Sequence, residues 1–151
     1  MDMVASAEPS QMLIDHRALE RRARRYSYRC AQWLDRSSSH ERPHAGERDH
    51  PVAIVDRLSD LVATEIVRAL AESSDTGPER HLAHADAYAS ATIALIAIEQ
   101  SRQAWLALVR EQQVLATAAQ PFVSDLVWLK HEVERAFPGI RFATIRGTAR
   151  A

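Results

Sequence analysis

Seven histidines, a single cysteine and eighteen arginines are the residues with which this chain has the means to do chemistry. The histidines gather in two places. His40, His44 and His50 share a stretch with Glu41, Glu47 and Asp49, and His81 and His84 stand three apart near Glu79 and Asp86. Imidazole and carboxylate are suitable ligands for zinc, iron or nickel. A diiron site in a helical bundle, however, requires inward carboxylates from all four helices, with glutamate and histidine three apart on two of them. Glu41 with His44 and Glu47 with His50 have that spacing, but both pairs lie in a stretch containing proline and glycine, which does not aim side chains into a helical core. His81 and His84 lack a second matched pair. The reading is solvated histidines, no metal site and no cofactor.

Nucleophilic chemistry finds no better support. Cys30 falls on a helical apolar stripe between Tyr26 and Trp33, where a cysteine serves as small core filler rather than as a thiolate. As the only cysteine it forms no disulfide within the chain, and nothing points to an oxidising compartment. The serines have no glycine-flanked elbow, and the four glycines are isolated, so no phosphate-cradling loop is present. Glu99 follows a wholly apolar run. Buried there it would have a raised pKa; its spacing of three from Arg102 favours a surface pair instead. The chain is not expected to be an enzyme.

The arginines are the remaining signal. Net charge is −1, but it is partitioned. Arg17, Arg21, Arg22, Arg24, Arg25, Arg29 and Arg36 face only Glu20 and Asp35, whereas residues 51–137 carry twelve acids and seven bases, and the tail after Pro138 adds Arg141, Arg146 and Arg150. Basic segments of this kind favour polyanions, chiefly nucleic acid, or an acidic protein partner. Arginine outnumbers lysine 18 to 1, which suits phosphate recognition; together with abundant alanine it also fits a GC-rich coding sequence. Tyr26, Tyr28 and Trp33 interleave with the arginines, but only Tyr28 lies off the apolar stripe and free to stack outward. The face is suited to sequence-independent, salt-sensitive contacts with the backbone of RNA or single-stranded DNA.

The elements that must position these residues are helical. Met12, His16, Leu19, Ala23, Tyr26, Cys30 and Trp33 recur every three or four residues, which predicts a first helix from about Ser10, as its cap, to Ser37. The seven arginines from Arg17 to Arg36 fall largely off that stripe, and their surface position predicts that replacing Arg21, Arg22, Arg25 and Arg29 with glutamine leaves folding intact. Residues 37–50 have no apolar period and read as a flexible polar loop. Pro51 suits the first turn of a second helix ending near Ser73, with Val55, Leu58, Val62, Ile66, Ala69 and Leu70 inward.

A third helical stretch opens at Pro78 and extends as far as about Ala119, roughly 60 Å if unbroken, with a kink or break conceivable near Glu99 to Gln103. Its centre, Ala89 to Ile98, is apolar on nearly every side and is expected to be the buried spine of the fold. Gln120-Pro121 marks a new start, with Phe122, Leu126, Leu129, Val133 and Phe137 inward and Pro138-Gly139 as the stop. In the basic tail of residues 138–151, the run from Ile140 to Arg146 loosely alternates, as a short strand docked on a neighbour would. The fold class is all-α: one domain over residues 1–151, an antiparallel bundle of about four helices with a long central third helix.

In its size, its helical plan and the run Arg21-Arg22-Ala23-Arg24-Arg25, the chain resembles the small helical subunits of multisubunit CRISPR effector complexes. The resemblance implies a compact bundle that stacks along an assembly and supports guide and target strands through basic residues. The acidic middle of this chain departs from that pattern unless it faces protein neighbours. The function expected is thus a non-catalytic subunit of a nucleoprotein assembly, contacting nucleic acid through the first helix and neighbouring subunits, copies of itself among them, through other faces. The alternative is a helical adaptor or regulatory protein, dimeric through the first-helix stripe, without a nucleic-acid role. The acidic amino terminus lacks a signal-peptide pattern, and the longest apolar run, Ala91–Ile98, is far short of the ~20 residues of a membrane span. A cytoplasmic location and no membrane partner are expected.

Overall fold

The apolar periods of the sequence become four helices, α1 (Met3–Ser37), α2 (Pro51–Ser73), α3 (Arg80–Arg110) and α4 (Ala116–Ala136), with no strand among the described residues. The structure, a computed structural model, describes residues 3–37, 50–75, 77–78 and 80–140, with the side chains of 3–15 and 80 excepted. Each helix packs on its neighbours around a ring: α1 on α2, α2 on α3, α3 on α4, and α4 back on α1. The helices α1 and α3 therefore stand on a diagonal, and their outward faces point in opposite directions.

Helix α1 begins at Met3, so Ser10 lies inside it rather than at its cap. Helix α2 begins as expected, with Pro51 at its first position, and gains a cap that composition did not suggest. The His50 side chain accepts the Val52 backbone N–H through Nδ1 at 3.2 Å, which satisfies one of the orphan amides of the first turn. The six apolar residues assigned to the inner face of α2 are all buried, and the helix ends at Ser73.

The third helical stretch is shorter than its sequence suggests. Helix α3 continues without a break over residues 99–103 and stops at Arg110. The Gln113 N–H donates to the Leu108 carbonyl at 3.0 Å and the Gln112 N–H to the Val109 carbonyl at 3.1 Å, while Gln112 adopts φ 59°. This is a Schellman stop with glutamine in the left-handed position usually given to glycine. Helix α4 then starts at Ala116, not at Pro121, which sits within it. Pro121 lacks an N–H, so one helical hydrogen bond is absent there.

The core is built around Trp105, fully buried on α3. Its ring stacks on Phe122 at 4.2 Å, meets Trp33 edge-on at 4.9 Å, and its Nε1–H donates to the Tyr26 hydroxyl at 3.2 Å. One side chain of α3 thereby reaches α1 across the diagonal and α4 beside it. Leu126, Leu129 and Val133 of α4 and Phe137 just after it are buried as their period implied, and Phe122 is partly buried. Gly139, at φ 89°, turns the chain so that Ile140 is buried too.

The expected all-round buried spine is corrected by the structure. Ala91, Ala94, Leu95, Ala97 and Ile98 are buried, but Ile96 is 46% exposed, Ile93 43% and Leu82 67%. In a ring of four helices α3 has neighbours on two flanks and a diagonal partner, and among the described residues nothing covers its outer arc. Residues 38–49, which include His40 and His44 and were expected to form a loop, and residues 141–151 lie outside the described residues, so the docked-strand expectation falls there as well.

Candidate functional site

The arginines of α1 divide into two sets. Arg22, Arg25 and Arg29 are three to four residues apart and lie on the flank of α1 that meets α4. All three converge on Asp125. Arg22 Nε donates to Asp125 Oδ1 at 2.9 Å, Arg25 Nη2 lies 3.8 Å from the same oxygen, and Arg29 Nη1 lies 3.6 Å from Oδ2. The Arg22 guanidinium also sits 4.5 Å from the centre of the Trp128 ring, over its face, where the ring quadrupole attracts the cation.

Asp125 was not among the residues that sequence reasoning singled out, yet it organises the face. It falls three residues after Phe122 and four before Leu129, on the inner arc of α4, so an acid at a core position was the available signal. Its side chain is 3% exposed, against 29%, 51% and 42% for Arg22, Arg25 and Arg29. A buried carboxylate persists only if paired. One carboxylate cannot neutralise three guanidiniums, so the cluster keeps an excess of two positive charges, held at a half-exposed seam. This corrects the expectation that the arginines are free surface groups. Removing the Asp125 partners together strands a buried charge.

The second set faces outward. Arg17, Arg21, Arg24 and Tyr28 follow one another at helical spacing, and all are exposed. Arg24 pairs with Glu20, its Nη2 3.0 Å from Oε1, an exposed i, i+4 pair worth a few tenths of a kcal/mol. Arg17, Arg21 and Arg36 make no ion pair or side-chain hydrogen bond among the described residues. Arg36 occupies the last turn of α1, where a cation suits the negative end of the helix dipole. All seven arginines assigned from sequence thus stand on α1, and three share a single anchor.

The other candidates resolve simply. Cys30 is buried, and burial pushes its thiol up to about 12, which keeps it protonated and inert at neutral pH. Tyr26 is raised well above the usual phenol range, by burial first and by the neighbouring Cys30 second. Glu99 pairs with Arg102 through two contacts, Nη2 to Oε1 at 2.7 Å and Nε to Oε2 at 3.1 Å, and the hydrogen bond from Arg102 chiefly holds its carboxyl below the usual range. The surface pair is the correct reading. His81 and His84 are exposed, and no group of three metal-ligating side chains forms among the described residues.

The apolar stripe of α1 is spent inside the chain, since Leu19, Ala23, Tyr26 and Cys30 are all buried in its own core. Among the described residues no helix is long and apolar enough to cross a membrane. Compared with protein-family models, with curated proteins and with solved structures, the chain matches none.

Proposed function

We propose that this chain is a non-catalytic helical subunit of a larger nucleoprotein assembly, working as the small subunits of CRISPR effector complexes do. Its α1 arginines contact the phosphate backbone of RNA or single-stranded DNA, and the uncovered apolar arc of α3 meets a protein neighbour on the opposite side of the bundle. The observation that carries the reading is the gathering of Arg22, Arg25 and Arg29 on one buried carboxylate. Long arginine side chains lose much entropy when a ligand fixes them. Here part of that cost is met in folding, and a net positive charge remains at the surface. Arg17, Arg21 and Arg24 extend the charge along the helix, with Tyr28 available for stacking.

A helical adaptor is the second reading, in which the arginines meet an acidic protein partner instead of phosphate and the exposed Leu82, Ile93 and Ile96 on α3 serve as a further protein contact. Titration of the purified chain with a generic single-stranded RNA and a duplex DNA across a salt series separates the two. The nucleoprotein reading expects affinity that falls steeply with salt. Replacing Arg17, Arg21 and Arg24 with glutamine should flatten the logarithmic slope by about two, at ~0.7 per lost phosphate contact on a single strand. Absence of binding at low salt rejects it and leaves the adaptor.

A further inference from the structure

Within the basic face, the charges and donors are not evenly spent. Arg22 gives Asp125 its one hydrogen bond, at 2.9 Å, and is further committed to the Trp128 ring. Arg25 and Arg29 approach the same carboxylate only to 3.8 and 3.6 Å, outside hydrogen-bond range, and neither makes a side-chain hydrogen bond among the described residues. Each guanidinium has five N–H donors in a planar fork. Both are half exposed while Asp125 lies beneath them, so the carboxylate draws the two groups together from below and their outer edges face solvent. The two residues are one helical turn apart, with Cβ atoms about 6 Å from each other, a span that two converging forks close around one tetrahedral oxyanion.

We propose that Arg25 and Arg29, drawn together over Asp125, form a seat for a single phosphate group. Asp125 positions the two arginines rather than touching the ligand: Arg22 occupies its Oδ1, its Oδ2 has no hydrogen-bond partner, and Arg25 and Arg29, beyond hydrogen-bond distance of either oxygen, keep their donors available. A tetrahedral anion accepts from both forks, as charge-assisted bidentate pairs do, and offsets the two uncompensated charges of the cluster. This deepens the nucleoprotein reading by assigning the backbone contact to a defined point, and it rests on that reading for the source of the phosphate.

The test is titration of the full chain with pyrophosphate and, in parallel, with a single-stranded RNA and with vesicles containing phosphatidic acid. The variants are Arg25→Gln with Arg29→Gln, and Arg17→Gln with Arg21→Gln. The seat predicts saturable binding of one pyrophosphate per chain, weakened about tenfold or more in the first variant and less than about twofold in the second. Loss of saturation in wild type, or equal loss in both variants, overturns it. Should the first variant fail to fold by circular dichroism, Arg25→Lys with Arg29→Lys keeps the charge and removes the forks; undiminished pyrophosphate binding there also overturns it. Pyrophosphate binding without RNA binding keeps the seat and removes the nucleic-acid source, and capture by vesicles in that case makes the source a lipid headgroup. RNA binding without pyrophosphate saturation keeps the subunit reading and removes the seat.

Discussion

Helices α1 and α3 stand on the same diagonal and solve opposite problems. Helix α1 buries an apolar stripe, sends an arginine row to solvent and is tied to α4 by three arginines gathered on the buried Asp125. Helix α3 is buried on its inner arc around Trp105, and its outer arc shows Leu82, Ile93 and Ile96 where charges would be expected. The bundle thus shows a row of arginines on one side and, among the described residues, three exposed aliphatic side chains on the other. Four-helix packing dictates neither. What a helix shows to water is free to vary, so the contrast bears on what each side meets rather than on how the chain folds.

Breaking the diagonal tie should have the largest effect on stability. Trp105→Ala removes the stack on Phe122, the edge contact with Trp33 and the hydrogen bond to Tyr26, and should cost about 4 kcal/mol in denaturant unfolding. The two arcs of α3 are then compared by adjacent residues. Leu95→Ala should cost about 3 kcal/mol, and Ile96→Ala less than about 1 kcal/mol, because Ile96 already faces solvent. Equal losses at the two positions would remove the uncovered arc.

Alkaline pH tests the interior of α1. The Cys30 thiol titrates near 12 in the fold against an ordinary value of 9.0, and Tyr26 is raised in the same direction. The unfolded chain therefore releases these protons first. Stability is fully present below about pH 9 and should fall as the pH rises from there toward 12, at up to ~1.4 kcal/mol per unit for one such group. A Cys30→Ala variant should show a shallower decline between pH 9 and 11; an identical decline would place the loss elsewhere. The smallest effect should be a gain. Gln112→Gly at φ 59° relieves a left-handed non-glycine residue and should stabilise the chain by about 1 kcal/mol.

The particular residues show what was legible beforehand. Helix number, fold class, the inner faces of α2 and α4, the Pro51 start and the Glu99–Arg102 pair all follow from period and local spacing, which a linear chain displays directly. The stop after Arg110 was hidden because glutamine rather than glycine occupies the left-handed position. The uncovered side of α3 was hidden because an apolar run says that residues avoid water, not how many neighbours are present to cover them. The anchoring of Arg22, Arg25 and Arg29 was missed for a related reason. Asp125 lies 103 residues from Arg22 in sequence, and only a look for acids on the core arc of α4 would have raised it.

The central claim is that the charged side, and not the apolar side, meets a polyanion. The measurement that tests it most directly is single-stranded RNA affinity at one low ionic strength for three proteins: wild type, an α1 variant with Arg17, Arg21, Arg25 and Arg29 replaced by glutamine, and an α3 variant with Ile93 and Ile96 replaced by serine. The account predicts binding by wild type and by the α3 variant and a loss of more than about tenfold in the α1 variant. Binding that survives in the α1 variant, or that is absent from wild type, would contradict it.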